Sequence, residues 1–133
     1  MMLLAWSDDL LVNHPVIDRD HEETIELLNT AHGADDAAFP AAWQAFYRHL
    51  VEHFAREEGL MEKAGFPAFP VHKAEHERVL ELFIPLNAQV EAGAYQEARD
   101  HLEHGVVPWF KNHRDTMDFV TAQFVAMAER SQG

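Results

Sequence analysis

Apolar residues recur at steps of three and four along most of this sequence, and on nearly every such stripe an imidazole or a carboxylate takes the place of an apolar side chain. A spacing of three and four marks one face of an α-helix. An ionisable group on that face costs several kcal/mol unless it is hydrogen-bonded, paired or bound to a metal. The chain is therefore constrained to helices that pack around a shared polar centre. After an irregular arm over about residues 1–17, Asp18 is placed to cap a first helix, with Asp20, Glu22 and Glu23 in its opening turn and His21, Ile25, Leu28 and His32 facing inward. Pro40 opens a second helix with the stripe Trp43, Phe46, Leu50, His53/Phe54, Glu57 and Leu60/Met61, closed by Gly65. A third carries His72, His76, Val79, Phe83, Leu86 and Val90 and ends near Gly93, with a kink predicted at Pro85. The last stretch reads Tyr95, Ala98 and Leu102, then Trp109, His113, Met117, Val120, Phe124 and Met127. Gly105 and Pro108 divide it into a short piece and a long one. The fold expected is all-α: a single domain over residues 1–133, an antiparallel up-down four-helix bundle with an interrupted last helix.

Composition narrows the chemistry. Histidine occurs ten times, as often as Lys and Arg combined, and there is no cysteine. Thiolate nucleophiles, disulfides and Cys-ligated metal or iron–sulfur centres are thereby excluded. A formal charge of −13 makes nucleic acid and anionic lipid poor partners and suits a monomer rather than an oligomer. The apolar start, Met1 to Trp6, lacks the basic region and cleavage site of a signal peptide, and no run approaches a membrane span. A cytoplasmic location is expected.

Two pairs stand one helical turn apart: His53 with Glu57, and His72 with His76. Side chains at i and i+4 converge on one point. Together with inward His21 and His113 they read as a metal site. On spacing alone His49 extends the His53–Glu57 stripe and competes with it, and Asp115 stands beside Asp118 as a partner for His113. Glu58, about 100° round the helix from Glu57, is expected to face solvent. His14, His32, His101 and His104 fall near predicted ends or breaks, where solvated or capping roles are expected, and His101 and His104 make a surface i, i+3 pair.

His21, His53-x-x-x-Glu57, His72-x-x-x-His76 and His113-x-x-x-x-Asp118, flanked by Trp6-Ser7-Asp8, Ile17-Asp18, Glu57-Glu58, Met61 and Trp109, resemble the hemerythrin-like proteins, specifically the single-domain bacterial hemerythrins. The likeness runs from about Trp6 to Phe124. It implies a four-helix bundle holding two iron ions in an oxo- or hydroxo-bridged centre that binds O2 reversibly. His72, His76 and His113 would serve one iron, His21 and His53 the other, with Glu57 and Asp118 bridging. It is this pattern, not spacing, that selects Asp118. One iron would then be six-coordinate and the other five-coordinate, leaving room for O2 held as a hydroperoxide. The sequence departs from the pattern at Gly105-Val106-Val107-Pro108 and at Arg114, where an apolar residue is usual.

The leading expectation is a non-enzymatic O2 carrier, store or sensor, with nitric oxide as a second compatible ligand. A di-iron enzyme reducing peroxide or nitric oxide, and an iron store or iron-responsive protein, are the alternatives. The aromatics at helical spacing are core residues, some of which must line the ligand pocket.

Overall fold

A computed structural model describes residues 2–132. Four antiparallel helical runs make the bundle: α1 (Pro15–Gly33), α2 (Phe39–Ala64), α3 (Phe69–Glu91) and a composite fourth helix. The last consists of α4 (Gln96–His101), a π turn (Leu102–Val106), α5 (Val107–His113), a second π turn (Arg114–Asp118) and α6 (Phe119–Gln132). The fold is the all-helical bundle expected from the periodicity. A short 3-10 turn, Asp8–Leu10, lies in the arm that precedes it.

Helix α1 begins earlier than the sequence suggests. Pro15 sits in its first turn, and His14 is the N-cap, its Nδ1 accepting from the Ile17 amide at 3.5 Å. Asp18 is not the cap. One turn in, its carboxylate reaches back to accept from the Val12 and His14 amides at 2.8 and 3.2 Å, which closes the start of the helix much as a capping box does. Gly65 ends α2 in the left-handed region at φ 69, the conformation that favours glycine at a helix end. Helix α3 continues through Pro85 without interruption.

The fourth helix is where periodicity misleads. The α-helix is interrupted at Gly105 as expected, by a π turn instead of a break, and Pro108 stands in the opening turn of α5 that follows. A π turn takes one residue more than an α turn, so everything after it changes face. Among the described residues beyond His113 the buried positions are Asp118, Thr121, Ala122 and Val125. The expected Val120 and Met127 are each 53 % exposed, and Met117 and Phe124 are only half-buried.

Two apolar layers bound the middle of the bundle. The larger contains Ile25, Leu28, Trp43, Phe46, Leu50, Phe83 and Leu102, and the smaller contains Val12, Ile17 and Ala122 with Leu60 against them. Each large side chain removed from water contributes about 1.5–3 kcal/mol. The polar stripe residues lie between the layers, away from solvent. The arm is tied down at both ends. Asn29 Oδ1 accepts from the Leu3 and Leu4 amides, while Arg114 donates to the Leu10 and Leu11 carbonyls and Gln123 to that of Val12. Among the described residues no helix is long and apolar enough to cross a membrane.

Candidate metal centre

Each helix delivers its polar residues to the same level of the bundle. Helix α1 contributes His21, α2 His53 and Glu57, α3 His72 and His76, and the fourth helix His113 and Asp118. All seven are between 0 % and 4 % exposed. His113 and Asp118 are five residues apart, which on an ideal α-helix would set them about 140° apart. The second π turn absorbs the extra residue, and His113 Nε2 comes to 3.1 Å from Asp118 Oδ1.

The two carboxylates lie across the middle, each with one oxygen to either side. Glu57 Oε1 is 2.8 Å from His72 Nε2 and 3.2 Å from His76 Nε2, while its Oε2 faces His53 Nε2 at 3.9 Å. Asp118 Oδ1 is 3.1 Å from the Nε2 atoms of both His72 and His113, and its Oδ2 is 3.0 Å from His21 Nε2. Two groups of converging donors result: Glu57, His72, His76, His113 and Asp118 in one, His21, His53 and Glu57 in the other.

These residues fit metal ions. Both Glu57 oxygens, Asp118 Oδ1, His76 Nε2 and both ring nitrogens of His21 are buried without a hydrogen-bond partner, although several lie close enough to one another for one. One nitrogen of His21 and the other atoms of this set belong to the two converging groups, where their lone pairs can meet an ion instead of a hydrogen. Neighbouring ligands about 2.1 Å from one ion and at right angles to each other stand about 3 Å apart, the spacing seen here. Imidazole and carboxylate donors without sulfur suit iron and its first-row neighbours.

Charge gives the same result. Burial pushes the Glu57 carboxyl up and Asp118 adds to that, yet His72 and His76 hold it below the usual carboxylate range. Burial likewise opposes ionisation of Asp118, but His113, His21 and His72 hold it well below. Burial would lower His72; Asp118 and Glu57 instead raise it to about 9. His21 is raised against burial by Asp118 in the same way. Two buried carboxylates thus require positive charge beside them, from protons or from metal.

The outer faces of the imidazoles are fixed too. Nδ1–H of His53 donates to Asp20 Oδ2 at 3.1 Å, that of His72 to Thr121 Oγ1 at 2.8 Å, and that of His76 to Glu58 Oε2 at 2.9 Å. Each bond sets the tautomer that turns Nε2 inward. Asp20 is gripped in turn by Arg56, through Nε at 2.9 Å and Nη2 at 2.7 Å, which with His53 keeps its carboxyl far below the ordinary range despite burial. Phe54 stacks on His76 at 3.9 Å between centroids, Trp109 on His113 at 4.4 Å, and Phe110 meets His21 edge-on at 5.2 Å. Those three aromatics wall the centre, whereas Trp43, Phe46 and Phe83 pack with one another in the core.

Several sequence expectations change here. Glu58 does not simply face solvent; α3 brings His76 against it. Asp20 is a buried partner of His53 more than a helix-dipole acid, and neither role leaves a periodic signature. His49 stays outside the seven, donating from Nε2 to the Asp20 carbonyl and Thr24 Oγ1. His14 caps as expected but is buried, with Nε2 on Glu129 at 2.8 Å. His101 is half-buried edge-on against Phe83 and forms no surface pair with exposed His104.

A family model, "Hemerythrin HHE cation binding domain", matches residues 13–125, which include all seven. The chain belongs to the hemerythrin family. Its hemerythrin relatives include a bacteriohemerythrin of Stenotrophomonas maltophilia, 36 % identical over 85 % of this chain and 75 % of that one. Another is from Ralstonia nicotianae, 32 % identical over 95 % and 91 %. A crystal structure of a hemerythrin point mutant superposes with a TM-score of 0.85 at 25 % identity, covering 94 % of this chain and 98 % of the other.

Proposed function

We propose that this hemerythrin chain binds O2 reversibly at a centre of two iron ions, held by His72, His76 and His113 on one side and His21 and His53 on the other, with Glu57 and Asp118 shared. The observation that carries this reading is the straddling of the two carboxylates, each with one oxygen toward either group of imidazoles. Two ferrous ions supply the pair of electrons that allows O2 to be held and released.

The protein's own residues do the rest. Glu57 and Asp118 offset the charge of the ions in a core that could not hold either alone. Asp20, Thr121 and Glu58 hold three imidazoles in the tautomer and direction required. Phe54, Trp109 and Phe110 exclude water. The His21/His53 side has one imidazole fewer, so a metal held there would keep room for a ligand, and Phe110 against His21 borders that side. Five imidazoles to two carboxylates favours a carrier over an oxidising enzyme, because carboxylate-rich sets are those of the di-iron bundles that build four Glu around the metals. A net charge of −13 suits a monomer that stays dispersed in solution, and we infer a cytosolic setting for it.

Iron counting with an anaerobic-to-aerobic optical titration tests it. Two irons per chain and visible absorption that appears in air and disappears under vacuum are expected. One zinc per chain without optical change, or irreversible oxidation with substrate turnover, overturns it.

A further inference from the structure

Beside the centre lies a second group of donors, made by Asp20 and Glu23 of α1 and His49 of α2, whose ligand atoms all lie within 4.8 Å of one another. Asp20 and His49 are buried and Glu23 is half-exposed, so the group opens on solvent at one side only.

The hydrogen bonds of His49 determine what it presents there. Its Nε2 faces the Asp20 backbone carbonyl at 3.0 Å and Thr24 Oγ1 at 3.1 Å, and the threonine hydroxyl spends its own hydrogen on that same carbonyl at 2.7 Å. A carbonyl can only accept, so Nε2 carries the proton. In the neutral ring Nδ1 is then a bare lone pair. It lies 3.7 Å from Glu23 Oε2, beyond hydrogen-bond reach, on a side chain 8 % exposed. Two acceptors that face each other across such a gap want a cation between them. The surrounding charge permits one. Glu23 and Glu52 add their negative charge beside the one guanidinium, Arg56, that is paired with Asp20.

We propose that His49 Nδ1, Glu23 and Asp20 form an accessory site for a first-row divalent cation, completed by water on its exposed side. Asp20 joins it to the buried centre, since the same carboxylate accepts from His53 Nδ1. A cation there would wait one hydrogen bond from the His21/His53 side, between solvent and the interior. An imidazole with two carboxylates binds zinc more tightly than ferrous ion, which makes zinc the probe.

The test is zinc uptake by the iron-loaded protein under anaerobic conditions, with both metals counted and binding followed by calorimetry. The wild type is expected to take up one zinc per chain that Glu23→Gln and His49→Gln bind about tenfold more weakly or not at all, while all three keep the same iron count. Glu23 is half-exposed and makes no hydrogen bond that the fold needs, so its variant guards against misfolding. Equal uptake by wild type and Glu23→Gln overturns the proposal, as does no uptake by the wild type. Because the readout is a difference between proteins with equal iron, it stands or falls separately from the number of irons in the centre.

Discussion

Around His72, His76 and His113 the donor atoms stand edge to edge, with nitrogen-to-oxygen separations of 2.8 to 3.2 Å. Around His21 and His53 the corresponding separations are 3.0 and 3.9 Å, and only two imidazoles are present. The first half is closed by side chains from α2, α3 and the fourth helix; α1 and α2 supply the imidazoles of the second. A saturated half holds metal firmly, and an incomplete half leaves a place for a ligand. Each half draws on three helices and on the same two carboxylates, so the difference lies in the imidazoles, three against two.

Variants can break this asymmetry. Glu57→Ala strikes both halves, and the expected result is loss of both irons with helical circular dichroism retained. Deleting Thr116 removes the extra residue of the second π turn and rotates Asp118 by about 100°. Iron binding should fall to one per chain or less, and thermal stability with it, since Thr121, Ala122 and Val125 leave the core together; unchanged iron and stability would mean that the π turn is incidental. His113→Ala and His21→Ala separate the halves. The first should weaken iron binding in the closed half; the second should leave one iron per chain and abolish the optical response to air. His53→Ala belongs with His21→Ala, whereas His49→Ala should keep the full iron count.

Smaller effects come from the outer bonds. Thr121→Val or Glu58→Gln should lower metal affinity by about 10–100-fold, measured by competition with a chelator. Smallest is a pH effect on the metal-free protein. The folded value of His72, about 9, lies above its ordinary 6.5, so its contribution is complete below pH 6.5 and is lost as pH rises through 9. The melting temperature of the metal-free protein should fall by a few degrees over that window. In the loaded protein the same imidazole is a neutral ligand, and the dependence should vanish.

Much of this was legible from residue spacing. The pairs His53/Glu57 and His72/His76 reach the centre because one α turn places i and i+4 together, and α2 and α3 obey that rule throughout the site. His113 and Asp118 do not, and only likeness to known proteins selected Asp118 over Asp115. Gly105 and Pro108 look like breaks, yet Gly105 sits in a wider turn and Pro108 opens the α-helical piece that follows. Asp20, Glu58 and Thr121 carry no local sign of their roles, because each bonds to a histidine on another helix.

The sequence by itself determined the helices, the ionisable stripe on each and the absence of sulfur ligands, since these follow from residue type and a local period. Tertiary structure decided the rest: which carboxylate faces both groups of imidazoles, which nitrogen of each ring turns inward, and which half is left incomplete. Those depend on the direction of side chains from different helices meeting in a buried space, where a π turn of one extra residue changes the face and no local period records it.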